Sequence, residues 1–250
     1  IENVTVLKDA SSTSIYGSRA ANGVVVITTK RGKGAKPTVS IKGQYGFSQP
    51  ALPTTEMMST SQYYDLWKTI APNADLSIIK QYMDMGINTN WQDYFLKDNA
   101  PTWQLDASIT GVSKNTNYFI SASHYDQEGV EPASGMKRET LRSNIDTKVF
   151  DWLRVGVNLG LSYEDFETNG FATTGYSWYN VATLSRWALP WETPYEIVDD
   201  GNGNWHYGDR KDLLDVLGLW NPYYLLENQP AEKNKLRLYG NMFEELTPVK

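Results

Sequence analysis

The sequence predicts a mostly β protein with some helix: a short mixed unit, then long antiparallel strands joined by long, partly helical loops. Three observations predict it. Two continuous β-branched runs, Val4 to Leu7 and Val24 to Thr29, stand near the start, with an Ala/Ser/Thr-rich stretch between them. From Val39 onward, apolar residues instead alternate with polar ones, the period of a strand with two different faces. The connections between these strands are either very short or very long.

The opening unit comes first. Its two runs are bounded by Gly and charged residues, and such runs read as strands buried on both faces. Between them Ala10 to Tyr16 fits one or two helical turns, closed by Gly17 just past the end. Gly32-Lys33-Gly34 lacks the spacing of a phosphate loop, and no strand-loop-helix follows it. Lys33 to Pro37 is a short basic connector where the texture changes. It divides the chain into 1–36 and 37–250.

Six alternating strands follow. Val39, Ile41, Gly43, Tyr45 and Phe47 share one face, with Ser40, Lys42, Gln44, Gly46 and Ser48 on the other. Trp103, Leu105, Ala107 and Ile109 repeat the pattern, and Tyr118 to Tyr125 returns after the polar turn at Ser113 to Asn117. Leu141 to Val149 is the fourth strand, with a tight corner at Asp151-Trp152. Leu153, Val155, Val157, Leu159, Leu161 and Tyr163 alternate with Arg154, Gly156, Asn158, Gly160, Ser162 and Glu164. The two glycines are read as room for the opening unit. Leu236 to Phe243 is the last strand.

The long connections cover 49–101 and 166–233, with a medium one at 127–137. Ser61 to Ile70 and Leu76 to Met83 have helical spacing and stop at Pro72 and Gly86. Trp178 to Ala188 and Lys211 to Leu217 are further helical stretches, the latter ended by Asn221-Pro222. Asp200-Gly201-Asn202-Gly203-Asn204 reads as a turn between two short strands; a calcium loop would need Gly where Trp205 stands and Glu where Lys211 stands. Short turns on one side and long loops on the other is the layout of a transmembrane β-barrel. A compact sandwich rarely carries structureless connections this long.

Composition bounds the chemistry. The 250 residues carry a formal net charge of -6, which argues against nucleic acid as a partner. There is no Cys and only His124 and His206, so neither disulfides nor a Cys- or His-rich metal site is expected. No nucleophile-base constellation such as Gly-x-Ser-x-Gly is present. No enzyme activity, catalytic residue or cofactor is therefore expected. There is no signal peptide. Aromatics are abundant, with 9 Trp and 16 Tyr. Trp178, Tyr179, Trp187, Trp191, Trp205, Tyr207 and Trp220 fall in the 166–233 loop. They are candidates for contact with a ligand or a lid, since aromatic faces stack on sugars. The alternative is that they pack the core of a folded loop or cushion a partner. Trp103 and Trp152 lie near strand ends, as an interfacial girdle requires.

The run VTVLKDASSTSIYGSRAANGVVVITTKRG, residues 4–32, resembles the end of the plug domain of TonB-dependent outer-membrane transporters, in the wording of the SusC/RagA branch. Ala20 stands where that branch usually has Gly; a small residue is kept, so a slightly tighter backbone is expected there. The resemblance continues through Trp91-Gln92-Asp93, Tyr118 to Gly129, Arg138 to Val157, Asn221-Pro222 and Leu236 to Phe243. It implies a partial plug domain followed by roughly six of about 22 strands of a large plugged barrel. The short turns would face the periplasm and the long loops the outside.

The resemblance also implies a function: TonB-dependent import of a nutrient across the outer membrane of a Gram-negative bacterium. An oligosaccharide is the first-choice ligand and a peptide the second. A SusD-like surface lipoprotein would lie on the long loops, and outer-membrane lipid would surround the barrel. The TonB complex of the inner membrane would act through a segment preceding residue 1, which would also carry the export signal. The plug charges Lys8, Arg19, Lys30 and Arg31 would latch onto inward carboxylates such as Asp106, Asp146 or Glu164, or else remain solvated. Two rivals stand beside this reading. One is a soluble carbohydrate-binding β-domain, or a glycosidase built on one. The other is a siderophore or signalling receptor of the wider class, which generally lacks the Lys-Asp-Ala-Ser and Ser-Arg-x-Ala-Asn-Gly wording.

Overall fold

Alternation sustained over whole strands makes one large sheet the frame of the molecule. The computed structural model describes residues 2–20, 22–32, 34, 36–51, 56–169, 181–214, 218, 220–221, 223–224, 228 and 230–247. Its main sheet has six antiparallel strands in the order β10-β7-β6-β5-β4-β3. These are β3 (Thr38–Ser48), β4 (Ala100–Ser113), β5 (Thr116–Glu128), β6 (Gly135–Phe150), β7 (Leu153–Asn169) and β10 (Pro230–Leu246). Each pairs with its chain neighbour, so the sheet is a meander with β3 and β10 at its edges.

The strands outrun their apolar alternation. β7 continues past Tyr163 to Asn169, paired with β10 residues Pro230 to Lys235. Asp165 and Glu167 take over the outer-face parity there. The ladder persists because backbone pairing does not depend on side-chain polarity. The apolar part alone, Leu153 to Tyr163, rises about 33 Å at ~3.3 Å per residue. Tilted by about 40°, it spans about 25 Å, the height of a barrel's lipid-facing band.

The two faces differ as the alternation requires. Ile41 (71% exposed), Leu105, Leu141, Val157, Leu159 and Leu238 (76%) lie on one open apolar face. Register puts Asp106, Arg142, Asn144, Asp146, Asn158, Glu164 and Arg237 on the other. Trp103 stands on the apolar face with its ring 4.3 Å from that of His124. At the opposite end Phe150 and Trp152 stack at 5.4 Å. Gly156 and Gly160 do not make room for the opening unit. A Cβ at these positions would meet the rings of Phe243 and Tyr239, at 2.1 and 2.2 Å. Cross-strand aromatics on β10 lie over bare backbone on β7.

In the opening unit, β1 (Asn3–Leu7) pairs antiparallel with β2 (Val24–Thr28). α1 (Ala10–Thr13) and two 3-10 turns, Ser14–Tyr16 and Ser18–Ala20, lie between them. Asp9 caps α1, accepting from the Ser12 amide (3.0 Å) and the Ser11 hydroxyl (2.6 Å). These bonds hold its carboxyl well below the usual range. Gly17 takes φ +75° and ψ -166° after the first 3-10 turn, a conformation open essentially to glycine alone. The expected burial on both faces is not found: Val4, Val6, Val25 and Ile27 are half-exposed or more. They share one face of the hairpin, and no described element covers it.

The long loops carry helices. α2 (Thr60–Ile70) and α3 (Ser77–Asp84) form where helical spacing predicts them. α2 starts at a capping box, with the Gln62 amide donating to Ser59 Oγ at 3.2 Å and the Ser59 amide to Gln62 Oε1 at 2.9 Å. α4 (Trp91–Phe95) is an additional short helix, and α5 (Val181–Trp187) accounts for the described part of the Trp178 to Ala188 stretch. β8 (Tyr195–Asp199) and β9 (Trp205–Arg210) form the hairpin around the Asp200 to Asn204 turn. The helix expected over Lys211 to Leu217 is absent from its described part. Leu213 instead bridges to Trp220, and the Asn221 side chain donates to Lys211 O at 2.8 Å and Pro194 O at 2.9 Å. That buried amide holds the backbone in an extended path.

Candidate functional site

Two places gather polar or aromatic side chains from distant parts of the chain. The first is the seam where the opening unit meets the polar face of the sheet. The chain leaves β2 and runs along that wall. Asn144 on β6 donates to Lys30 O at 2.9 Å. Gly32 then passes the β4–β5 ladder so closely that a Cβ would lie 2.4 Å from Gly111 O and Tyr118 N. Only bare backbone fits this approach. One residue pair further on, the Val112 amide donates to Gly34 O at 3.1 Å.

Asp146 is the charge at the centre of the seam. It is only 6% exposed. Its Oδ1 accepts from Asn117 Nδ2 (2.9 Å), Arg154 Nη2 (2.8 Å) and Arg154 Nε (3.2 Å). Arg31 of the opening unit brings Nη1 to 3.7 Å of Oδ2. The Phe243 ring lies beneath both guanidinium groups, 5.7 Å from Arg31 and 6.0 Å from Arg154. This arrangement satisfies a buried carboxylate from two strands and adds one cation from the opening unit.

The other predicted latch residues do less. Lys30 contributes its carbonyl to the seam and also borders a cavity with Lys42 and Asp106. Lys8 and Arg19 are exposed and form no ion pair among the described residues. Asp106 accepts from Gln104 at 2.8 Å, and Glu164 pairs with Arg237 at 3.0 Å. Alternating parity puts Asn117, Asn144, Arg154 and Phe243 on the inner face, but only register makes them neighbours. Those four were missed from sequence.

The second place is a cap formed by the long loops. Trp91 and Phe95 of α4 stack at 5.9 Å and pack with Ala188, Leu214 and Tyr223. Trp91 Nε1 donates to Leu189 O at 2.9 Å, and the Thr89 amide donates to Pro190 O at 2.7 Å. The described parts of segments 49–101 and 166–233 therefore pack against each other. The hydroxyl of Tyr223 donates to Tyr94 O. Burial pushes the phenol pKa of both tyrosines up. The medium loop joins through the Lys97 amide on Val130 O at 2.8 Å.

The loop aromatics divide by burial. Trp191 is 4% exposed, edge-on to Tyr63 at 4.8 Å. It packs the cap, and a ligand outside cannot reach it. Trp205 is half-buried, donating to Met85 O at 3.2 Å, with Tyr207 edge-on at 5.3 Å. Trp187, Tyr207 and Trp220 keep exposed surface, and Trp220 stacks on Tyr224 at 5.0 Å. Trp178 and Tyr179 lie outside the described residues. Among the described residues no helix is long and apolar enough to cross a membrane, and no His/Cys/Asp/Glu group could hold a metal.

Comparison with known proteins gives one consistent group. No family model matches the chain. TonB-dependent receptor P26 of Formosa agariphila is 37% identical over 74% of the chain and 18% of its own length. TonB-dependent receptor SusC of Bacteroides thetaiotaomicron is 38% identical over 92% of the chain and 22% of its own. A solved structure of the RagAB peptide transporter superposes with a TM-score of 0.74 at 27% identity, covering 99% of this chain and 30% of that one. The chain thus spans about a fifth of the length of these curated relatives.

Proposed function

Because this chain belongs to the SusC/RagA-like TonB-dependent transporters, we propose that it forms the end of the plug and the first wall strands of an outer-membrane nutrient importer. One observation carries the reading: a plug hairpin fastened, through Asn144 and Asp146, to the polar face of a sheet whose other face is apolar across a bilayer's thickness. Residues 1–36 act as plug and 37–250 as wall and loops. The apolar face lies in lipid, and the polar face lines the lumen.

Import needs no bond in the cargo to change. A ligand collects over the loop cap, a SusD-like lipoprotein closes on it, and the TonB complex pulls the plug using the proton-motive force. The Arg31–Asp146 contact is the latch that such a pull releases. Arg154 remains bound to Asp146 after Arg31 leaves, so the buried carboxylate is never unpaired and the latch can re-form. The cargo is an oligosaccharide, stacked on exposed loop aromatics such as Trp187 and Tyr207. A second reading, peptide import, is favoured by the superposition on the RagAB peptide transporter.

A lipid-soluble photo-crosslinker placed in the parent transporter at 157 or 158 tests the membrane reading. Lipid adducts at 157 and none at 158 are expected. Water or protein contact at both positions would overturn it. Uptake of a labelled glycan panel, with and without a proton gradient, tests the cargo.

A further inference from the structure

The inner-face arginines are not equivalent. Arg31 and Arg154 share Asp146, Arg154 also reaches Glu245 at 3.3 Å, and Arg237 holds Glu164. Arg138 lies over the Tyr125 ring at 5.2 Å. Arg142, exposed like Arg31 and Arg237, is the one of these with neither a carboxylate nor an aromatic partner among the described residues.

Its position gives that free guanidinium a use. On β6 the inner parity runs Arg138, Thr140, Arg142, Asn144, Asp146. Asn144 is where the plug is fastened. Arg142 therefore stands one pleat, about 7 Å, on the loop side of the plug contact. Two cavities meet at it. One, of about 570 Å³, lies between wall and plug, with Thr29, Lys30 and Arg31 on its far side. The other, of about 440 Å³, runs toward the loops between Asp106, Arg138, Glu164 and Arg237. Both include Arg142, Ser121 and Tyr239. Around Arg142 the second cavity is lined by hydroxyls, Ser121, Ser123, Thr140 and Ser162, which suit the hydroxyls of a sugar.

We propose that Arg142 is a specificity residue that reads a carboxylate on the transported oligosaccharide, seating an acidic sugar against the plug seam. This rests on the import reading above and narrows it to uronate-bearing cargo. A guanidinium matches a carboxylate with two parallel hydrogen bonds. The low-dielectric walls of the cleft between plug and sheet strengthen such a contact relative to open water.

The test uses the full-length transporter with its lid partner. Trigalacturonate and its carboxyl-reduced neutral counterpart are compared by calorimetry, with triglutamate and triglutamine peptides as a second pair. The acidic sugar is expected to bind at least about tenfold more tightly than the neutral one, as for a charge-assisted hydrogen-bond pair. Arg142→Gln should shrink that ratio to about threefold or less. Arg142→Lys, which keeps the charge and loses the fork, should retain only part of it. Heat-resistant migration of each variant checks that the barrel folds. If the Gln variant does not fold, the Lys variant decides by the same ratio. Equal binding of the acidic and neutral sugars overturns the proposal and leaves oligosaccharide import standing. So does a ratio unmoved in both variants. A preference confined to the acidic peptide overturns it in favour of peptide cargo. A transporter that binds none of the four overturns both readings.

Discussion

Val157 and Asn158 are sequence neighbours that face opposite media. Val157 is flanked across the sheet by Ile145 and Met242, and Asn158 by Asn144 and Asn241. In the folded parent, Val157→Arg should cost ~2–4 kcal/mol, the penalty for a cation at mid-bilayer on a barrel's lipid face. Asn158→Arg enters a wet cavity beside the plug and should cost well under half as much. Chemical unfolding in lipid vesicles measures both. The loop aromatics give a second contrast. Trp91→Ala empties the cap's core and should cost about 3–5 kcal/mol of local stability, read as faster proteolysis of segments 49–101 and 166–233. Trp187→Ala removes a ring that is 53% exposed and should speed proteolysis far less than Trp91→Ala does. It should weaken ligand binding by ~1–3 kcal/mol, on the scale of stacking losses at other aromatic platforms. Unchanged binding would move Trp187 to the packing group with Trp191.

Single elements respond through their partners. Gly156→Ala places a methyl where the Phe243 ring lies. The ring must swing away, and with it goes the surface under Arg31 and Arg154. The plug should then release more easily, read as faster hydrogen exchange at Val112, whose amide donates to the plug connector. Gly156→Ala with Phe243→Leu should recover little of the protection, because the smaller side chain leaves room for the methyl but puts no ring back under the two guanidinium groups. The β8–β9 hairpin depends on a carboxylate. Asp200 accepts from the Asn202 and Asn204 amides at 2.8 and 3.2 Å and from the Asn204 side chain at 3.0 Å. The Asn204 side chain leads in lowering its pKa. A depressed carboxyl stabilises the folded turn fully above the ordinary Asp value of about 3.9 and loses that stabilisation as pH falls below it. The protection factors at Asn202 and Asn204, with the intrinsic base-catalysed exchange rate divided out, should be flat at neutral pH and fall only in acid. A fall in protection between pH 6 and 7 would show that another group governs the turn.

At the scale of the molecule, the sheet ends in two unpaired edges, β3 and β10. Expressed alone, the 250 residues should associate through them, since open edges and an apolar face both recruit further chains. Size-exclusion chromatography in detergent should show mixed oligomers; a heat-resistant, monodisperse monomer would contradict this. Much of the fold was legible because its signals are local. Period-two alternation places Val157 outward and Asn158 inward without any knowledge of neighbours. The Asp200 to Asn204 run announces a turn, and the spacing over Ser61 to Ile70 a helix. The Lys211 to Leu217 reading failed over the described residues 211–214 because its decisive contact, Asn221 on Pro194 O and Lys211 O, is not a local property. The same holds for the glycines of β7. The sequence shows small residues on the inner face, but only register reveals that Phe243 and Tyr239 fill the space. By itself, then, the sequence determined the two faces, the antiparallel strands and the opening unit. Each follows from side-chain period, short turns or contiguous wording. The tertiary structure alone decided that Arg31 meets Asp146, that Trp191 is buried while Trp187 is not, and that Arg142 is left unpaired above the plug. Each of those depends on which residues, far apart in the chain, are brought within a few ångströms by pairing and packing.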